Sequence, residues 1–283
     1  MAQFTNQAQL TYGTTVVNSN VAVGEVLEAL SVTKTAVSNS YSSGEKITYI
    51  VSIVNMGGTA YTGLTVTDDL GAYELGTGAL VPLSYVDGSI KYYVNGVLQP
   101  TPELTADTGL TISGISVPAN GNALLIYETE ANQYAPIGDG GAITNTATLN
   151  GSLINPISDS ETVNAVSAPS ITVTKTITPV PVADNGTVTY TFLIQNTGSR
   201  ALVATDNAVI TDTFSPILTN VTATLNGTLL AEGTDYTYSE ATGLFQTAES
   251  VVTVPAGTFT QDPVTGIWSI TPGTSTLVIT GTI

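Results

Sequence analysis

The sequence predicts an all-β protein with two tandem β-sandwich domains, preceded by a separate N-terminal β-hairpin. The 283-residue chain is rich in Thr, Val, Ile and Tyr, includes 27 Gly, and shows no stretch with helical periodicity. Short runs of alternating polar and apolar residues are separated by turn residues, as in sandwiches. The same order of strands occurs twice, and a copy of one terminal hairpin stands alone at the N-terminus.

The amino-acid composition excludes some classes of binding partner and some kinds of catalytic or metal site. The chain carries 22 acidic and 5 basic residues, a net charge of −17, which argues against nucleic acid and anionic membranes as partners. It has no Cys to form a disulfide and no His, the commonest general base and metal ligand. We therefore expect no metal, no cofactor and no small-molecule substrate. No apolar run is long enough to span a membrane, and no signal peptide is visible.

Residues 1–29 are predicted to form the hairpin and a short connector. Phe4–Thr11 alternates apolar and polar residues, Gly13-Thr14 supplies a turn, and Val16–Val23 alternates again. The connector is Glu25–Ala29.

Residues 30–166 are predicted to form a complete sandwich, called module one. Leu30–Thr35, Ile47–Asn55 and Leu64–Asp68 are its first three strands. Its closing hairpin is predicted at Ile143–Asn150 and Ile157–Val163.

Residues 167–283, called module two, repeat this order of strands. Ile171–Thr176, Gly186–Gly198 and Val209–Asp212 match the first three strands of module one. Leu277–Ile283 matches Leu124–Glu130, so the sequence predicts that module two lacks a closing hairpin of its own.

The separate N-terminal hairpin resembles the hairpin that module two lacks. Phe4–Ala8 matches Ile143–Ala147, and Ser19–Val23 matches Asp159–Val163. A sandwich without its last strands has an open edge that seeks a partner strand. We expect the hairpin of one subunit to complete module two of the next by donor-strand addition. This head-to-tail contact between copies of the same chain propagates into a filament.

The alternative is a closed monomer whose hairpin folds back onto its own module two. A sandwich is roughly 35–40 Å long by strand dimensions. The connector Glu25–Ala29 is too short to pass that length if the modules lie end to end. The sequence therefore favours the intermolecular arrangement.

Strand parity places polar residues on the inward faces. Successive side chains of a strand alternate between its two faces, so residues that share parity with the apolar positions point into the core. In each of the two modules, a single Lys and a single Asp share that parity. An Asn also shares it, once in module one and once in the donor strand. The inward polar residues are Lys34, Asp68 and Asn145 in module one, Lys175 and Asp212 in module two, and Asn6 in the hairpin.

These residue types predict an amide exchange. Burial pushes a Lys towards the neutral amine and an Asp towards the protonated acid. The amine is then a nucleophile, the Asn side-chain carbonyl is the electrophile, and the Asp shuttles protons. The product is an isopeptide bond, with loss of ammonia. The alternative is that the Lys and Asp residues form only buried ion pairs.

We expect two such bonds. Lys34 and Asn145 would be joined within module one, with Asp68 as proton shuttle. Lys175 would be joined to Asn6 of another subunit, with Asp212 in the same role. The remaining inward residues of the donor strand are Phe4, Ala8 and Leu10, which would fill the neighbour's core. Each centre reacts once, so the chain is not expected to be an enzyme.

The repeated motifs also resemble a known group. Ser31–Thr35, Ile47–Tyr49, Leu64–Asp68 and Ile143–Ala147, taken in order, are similar to the DUF11-type bacterial surface repeat. The resemblance covers about residues 30–283, with 1–25 as a displaced terminal hairpin. It implies an immunoglobulin-like β-sandwich that occurs in tandem in exported proteins and fibres. Some related adhesin and pilin domains carry internal isopeptide bonds. The incomplete module two departs from the family pattern.

The sequence therefore favours a structural subunit of an extracellular fibre, a pilus-like or spore appendage at a bacterial cell or spore surface. The alternative is a monomeric two-domain surface adhesin or binding module with the N-terminal hairpin folded back.

Overall fold

The computed structural model describes residues 2–26, 29–76, 78–152 and 154–283, and the predicted all-β class is confirmed. Among these residues one short 3₁₀ helix, Ala204–Asp206, is the single helical element. The boundaries drawn between the hairpin and the two modules stay predictions. The hydrophobic core nevertheless divides on either side of residue 166, with one cluster in 30–165 and two smaller clusters in 182–283.

The N-terminal segment is a long hairpin of antiparallel strands. Its strands are β1 (Ala2–Asn6), β2 (Gln9–Tyr12), β3 (Thr15–Asn18) and β4 (Ala22–Val26). β1 pairs with β4 and β2 with β3. Residues 3–25 are exposed, apart from half-buried Gly24, so the hairpin is not folded back onto module two.

Module one consists of two sheets packed face to face, with small additional ladders. Its strands are β5 (Leu30–Ala36), β6 (Ser40–Tyr41), β7 (Lys46–Asn55), β8 (Tyr61–Asp68), β9 (Tyr73–Leu75), β10 (Gly78–Leu80), β11 (Leu83–Tyr85), β12 (Lys91–Val94), β13 (Val97–Leu98), β14 (Glu103–Ala106), β15 (Leu110–Val117), β16 (Gly121–Ala131), β17 (Ala142–Asn150) and β18 (Ile157–Ala165). One sheet has the order β13-β12-β16-β7-β5, with β11 also paired to β16. The other has the order β14-β15-β8-β17-β18-β6.

Alternation along each strand fixes which side chains enter the core. In β7 the buried residues are Ile47, Tyr49, Val51, Ile53 and Asn55, every second position. The same alternation runs through β17, where Ile143, Asn145, Ala147 and Leu149 are buried. Period-two patterning of this kind is what a half-buried antiparallel strand requires.

Module two repeats the first sheet and only half of the second. Its strands are β19 (Ile171–Thr178), β20 (Thr187–Asn196), β21 (Thr211–Thr213), β22 (Thr219–Leu225), β23 (Thr228–Leu229), β24 (Tyr236–Ser239), β25 (Leu244–Thr247), β26 (Thr258–Gln261), β27 (Trp268–Thr271) and β28 (Gly273–Thr282). The order β19-β20-β28-β22-β23 matches β5-β7-β16-β12-β13, and β21-β25-β24 matches β8-β15-β14. Among the described residues of module two, β17, β18 and β6 have no counterpart.

Strand pairing corrects one detail of the repeat. Tyr49 on β7 pairs with Tyr127, and its counterpart Tyr190 on β20 pairs with Ile279. Ile279 is therefore the counterpart of Tyr127, and Leu277 that of Leu125. The predicted alignment of Leu277 with Leu124 is wrong by one residue, because Leu124 and Leu125 are adjacent and the pairing of Gly121 with Asn55 and of Gly273 with Asn196 makes Leu125 the match.

A hairpin without a counterpart in module one joins the modules. β26 and β27 pair with each other and extend from module two towards module one. Gln261 Nε2 donates a hydrogen bond to the Tyr73 hydroxyl at 2.7 Å, and the Trp268 backbone N–H donates to the Gln133 carbonyl at 3.2 Å. The two modules therefore share a polar contact beyond the linker.

Candidate functional site

The candidate site of module one is centred on Lys34, which is 1% exposed. Lys34 lies on β5, on the inward face with Leu30. Its Nζ donates hydrogen bonds to Asp68 Oδ2 and to the Tyr127 hydroxyl, the latter at 3.1 Å. Its backbone N–H donates to Asp159 Oδ2 at 2.7 Å, which holds the edge of β5 against β18. Sequence parity placed this Lys in the core, and the structure has it there.

Asp68 is the shared acceptor of the site. Its Oδ2 accepts hydrogen bonds from both Lys34 Nζ and the Tyr127 hydroxyl. Its Oδ1 accepts the backbone N–H of Leu70 at 2.9 Å. The carboxyl group is buried and held at both oxygens, so it cannot rotate away from the amine without losing these bonds.

The Asn145 side chain is fully buried and makes no hydrogen bond. It is 0% exposed, and neither its Oδ1 nor its Nδ2 has a partner among the described residues. Asn55, equally buried, shows the usual arrangement: its Nδ2 donates to the Thr59 carbonyl and its Oδ1 accepts the Gly57 N–H at 2.9 Å. Leaving buried polar groups unpaired costs about 1–3 kcal/mol each. An orphaned amide of this kind in a native core requires an explanation.

The amide of Asn145 lies beside the amine site. Ala147, two residues further on β17, pairs with Asp68 on β8, so Asn145 occupies the next inward position on the same face. Two residues of a strand span about 6.6 Å. The Tyr49 side chain lies near both residues: Lys34 Nζ is 4.7 Å from its ring centre, and the Asn145 amide is close enough to its hydroxyl to oppose the increase in its pKa. No hydrogen bond of normal geometry joins Tyr49 and Asn145.

Burial controls the ionisation of this site. Desolvation lowers the pKa of Lys34 below 10.5, although the nearby Asp68 carboxylate opposes the change. Burial also raises the pKa of Tyr127 well above its usual value, and the Asp68 charge adds to the increase. For Tyr49, burial raises the pKa, and the Asn145 amide offsets this in part. Burial therefore shifts Lys34 towards the neutral amine and keeps both phenols protonated.

The equivalent site of module two is open. Lys175 forms an ion pair with Asp212, but their side chains are 38% and 18% exposed. The Lys175 ammonium lies 4.7 Å from the ring centre of Tyr190, 5.3 Å from that of Phe192 and 5.2 Å from that of Phe214. No Asn hydrogen-bonds to this pair among the described residues. Every residue of β19 is exposed, whereas β5 alternates between buried and exposed.

The donor-strand residues lie on the exposed hairpin. Phe4 is 58% exposed and Leu10 is 64% exposed, whereas their counterparts Ile143 and Leu149 are buried. Asn6 lies opposite Ala22 on β4. Ala8 donates its backbone N–H to Ser19 Oγ, at the interruption between the two ladders. None of these four side chains contacts Lys175 within one chain, so the structure does not bring Asn6 and Lys175 together.

The hairpin copies its counterpart in register over only half its length. Leu10 lies opposite Val17, as Leu149 lies opposite Ile157. If Val23 were the counterpart of Val163, Phe4 would lie opposite Val23, because Ile143 lies opposite Val163. In the structure, Phe4 lies opposite Gly24. That part of the match is wrong, because one extra residue follows Ser19 and shifts the pairing by one. The Phe4 ring covers Gly24, where a Cβ would lie 2.2 Å from it.

Sequence reasoning missed Tyr127, although a signal was present. Ala123, Leu125 and Tyr127 alternate along β16 and share one buried face. Applying strand parity to this segment would have placed the phenol in the core. Asp159 was missed as well, since only the three-dimensional structure brings β18 beside β5.

The described residues offer neither a metal site nor a membrane helix. No cluster of three or more acidic side chains with metal-binding geometry occurs in them. In the same ranges, no helix is long and apolar enough to cross a membrane.

No protein-family model matches the chain, and no curated protein is similar to it, so the resemblance to the DUF11-type repeat stays a prediction. Solved structures with a similar arrangement of strands include the C-terminal domain of the antigen I/II-family protein AspA from Streptococcus pyogenes. It is 13% identical with a TM-score of 0.36, over 90% of this chain and 92% of that one.

Two pilus proteins are similar at the same level. The pilus backbone protein RrgB from Streptococcus pneumoniae is 12% identical with a TM-score of 0.34, over 86% of this chain and 55% of that one. The major pilin subunit BcpA of Bacillus cereus is 10% identical with a TM-score of 0.35, over 96% and 73%.

Proposed function

We propose that the chain is the repeating structural subunit of an extracellular fibre, a pilus-like or spore appendage that assembles head to tail. The observation that carries this proposal is the contrast between two equivalent Lys–Asp pairs. Lys34 and Asp68 are enclosed by β17 and β18, whereas Lys175 and Asp212 lie at an edge that no strand in the described part of the chain covers. The N-terminal hairpin resembles the missing strands, and among the described residues of the chain it pairs with no other strand.

The register of module one defines how the donor hairpin docks. Ala147 lies opposite Asp68 and Leu149 opposite Val66. By equivalence, Ala8 of one subunit lies opposite Asp212 of the next, and Leu10 lies opposite Ile210. Asn6 then takes the inward position that Asn145 has in module one. Backbone hydrogen bonds along the edge of β21 supply affinity, and the inward side chains supply specificity.

Apolar surface on both sides supports the docking. The hairpin exposes Phe4, Leu10 and Val17, while Ile171 and Val173 of β19 are exposed at the edge that receives it. Fully burying one such side chain contributes about 1.5–3 kcal/mol. The hairpin carries few charges, with Glu25 the one acidic residue in 2–26, so repulsion between subunits of net charge −17 is small at this contact.

The chemistry makes the joint permanent. The neutral Lys34 amine attacks the Asn145 side-chain carbonyl carbon, and Asp68 passes a proton from the attacking nitrogen to the leaving amide nitrogen. The carbon–nitrogen bond to the leaving group breaks, and ammonia departs. Lys175 and Asn6 of a neighbour react in the same way with Asp212. Each site reacts once, so the chain does not turn over a substrate and is not an enzyme.

The orphaned amide of Asn145 supports this chemistry. A carbonyl without a hydrogen bond, next to a desolvated amine, is exposed to attack, and the reaction removes the buried NH₂ group altogether. A structural ion pair between Lys34 and Asp68 would leave Asn145 without a role.

Polymerisation is tested by boiling the purified full chain in detergent and separating it by electrophoresis. We expect a ladder of covalent oligomers that disappears in both Asn6→Ala and Lys175→Ala. Matched controls are Asn18→Ala, on the same hairpin but opposite Gln9 on the outward face, and Lys46→Ala, an exposed lysine paired with Glu128. Both controls keep the ladder.

Electron microscopy distinguishes docking from crosslinking. Deleting residues 1–26 abolishes filaments, whereas Lys175→Ala keeps filaments that dissociate in hot detergent. Wild-type protein that remains monomeric, with the hairpin protected from hydrogen exchange, would establish the closed monomer and overturn the fibre. Filaments that persist without residues 1–26 would show that another surface makes the contact.

A further inference from the structure

Tyr127 hydrogen-bonds both Lys34 and Asp68, and the crosslinking chemistry leaves its hydroxyl unused. Its hydroxyl has a single hydrogen, which it donates to Asp68 Oδ2. Its oxygen therefore faces Lys34 Nζ as an acceptor, at 3.1 Å. One phenol thus holds both the amine and the carboxyl group.

This geometry sets the direction of the amine lone pair. Besides its bond to carbon, a neutral amine nitrogen has three tetrahedral directions, two for hydrogens and one for the lone pair. In module one two of these directions are occupied by Asp68 and Tyr127. The third direction is left for the lone pair, and the buried amide of Asn145, at the inward position of β17 next to the Ala147–Asp68 pair, has no hydrogen-bond partner. Without the phenol, Asp68 alone would fix the amine, which could then rotate.

Module two lacks this phenol. Its counterpart is Ile279, which has no polar atom in its side chain. There Lys175 is surrounded by the aromatic rings of Tyr190, Phe192 and Phe214 and contacts Asp212. The two crosslinking sites thus differ in one polar side chain beside the amine.

We propose that Tyr127 is a positioning residue that aims the Lys34 amine at Asn145, and that it serves the intramolecular bond alone. This inference rests on the proposed isopeptide chemistry. The reaction remains the attack of Lys34 Nζ on the Asn145 carbonyl carbon, with release of ammonia. Tyr127 gains and loses no proton overall.

The hydroxyl also affects the pH at which the site becomes reactive. As an acceptor of the Lys34 N–H, it favours the charged form of Lys34. Burial keeps the pKa of Tyr127 high, so it remains a phenol while Lys34 loses its proton. Removing the hydroxyl therefore lowers the pH at which Lys34 loses its proton to solvent, while the amine loses its orientation.

The test follows both bonds in the same molecules. The full-length wild type, Tyr127→Phe and Tyr92→Phe are made by cell-free synthesis and transferred to buffers between about pH 6 and 10, a range that brackets titration of a lysine with lowered pKa. Samples are quenched in denaturant, and mass spectrometry measures the Lys34–Asn145 and Lys175–Asn6 peptides over time. Tyr92 is the control, because its hydroxyl is also buried but hydrogen-bonds the Ser116 carbonyl, away from the site.

In Tyr127→Phe we expect the maximal rate of the Lys34–Asn145 bond to fall about 10- to 100-fold, as misplacement of a reacting group does. The half-maximal rate should move to lower pH, and the Lys175–Asn6 rate should not change. Tyr92→Phe should match the wild type in both bonds and in pH profile.

Three results would overturn the inference while leaving the proposed function intact. These are an unchanged rate in Tyr127→Phe, a slower rate with the wild-type pH midpoint, and an equal slowing of both bonds, which would indicate a general effect on folding. Absence of both joined peptides from the wild type would instead remove the proposed chemistry, and the role of Tyr127 with it.

Discussion

Replacing Asn145 by Ala should change the free energy of unfolding of module one in opposite directions, depending on whether the Lys34–Asn145 bond forms. If no bond forms, the substitution removes two buried polar atoms that have no hydrogen-bond partner. Relief of such a group is worth about 1–3 kcal/mol, so the variant should be as stable as the wild type or more stable. If the bond forms, the variant loses a covalent link within module one.

The size of that loss follows from the positions of the linked residues. Lys34 and Asn145 lie roughly 110 residues apart, and a crosslink that closes a loop of about 100 residues stabilises the folded state by about 4.7 kcal/mol in the chain-entropy treatment. Subtracting the relief of the unpaired amide leaves a net destabilisation of about 2–4 kcal/mol. The wild type should also lack the mass of one ammonia, and Asn145→Ala should retain its full mass.

Hydrogen exchange across a guanidinium series measures this effect in module one alone. The amides of β7 belong to an interior strand, paired with β16 on one side and β5 on the other, and are expected to exchange through global opening of the module. Asn55→Ala is the matched control: Asn55 is equally buried, but its amide is hydrogen-bonded, so its loss destabilises the module with or without a crosslink. If Asn145→Ala leaves the opening free energy of β7 unchanged or raises it while Asn55→Ala lowers it, the crosslink does not exist.

Two further predictions concern docking and pH. Val17 faces inward opposite Leu10, and its neighbour Val16 faces outward opposite Thr11. The docking face can be tested with a labelled peptide of residues 1–26, which binds to a Lys175→Ala chain from which residues 1–26 have been deleted. In the peptide, Val17→Ala should weaken the affinity about 5- to 30-fold (about 1–2 kcal/mol), and Val16→Ala should have no effect. Equal effects of the two substitutions in fluorescence anisotropy would refute the docking face. In the uncrosslinked Asn145→Ala variant, the pKa of Lys34 in the folded state stays below 10.5. Between that lowered pKa and 10.5, the unfolded chain binds more protons than the folded chain, so the free energy of unfolding should rise with pH in this range. The wild type, with Lys34 converted to an amide, should lack this increment, and identical pH slopes in denaturation experiments would contradict the bond.

The buried site shows what strand periodicity can and cannot predict. Because side chains alternate with period two, parity was enough to place Lys34, Asp68 and Asn145 on inward faces, and all three are buried. Parity does not measure hydrogen bonding, so the lack of a partner for Asn145 could not be foreseen. The role of these residues in crosslinking stays a prediction.

The pairing register and the lengths of the strands were harder to predict than which segments form strands. A one-residue difference in alignment hid the equivalence of Tyr127 and Ile279, and one extra residue after Ser19 displaced the match of Val23. The third strand of module two was predicted over Val209–Asp212, but β21 covers only Thr211–Thr213. Its counterpart β8 is longer because β17 pairs with it, and no strand pairs with that edge of β21 among the described residues.

The positions of Lys34 and Asn145, near the two ends of module one, determine how the proposed fibre would carry tension. In that fibre, neighbouring subunits would hold each chain at residues 6 and 175, so a pulling force would enter at one and leave at the other. Between these points the shortest covalent route runs from residue 6 to Lys34, across the isopeptide bond to Asn145, and on to Lys175. Residues 35–144 lie outside this route, and so does module two beyond residue 175. A stretched filament would therefore be loaded through covalent bonds alone, while the strands that form most of both sandwiches would remain unstrained.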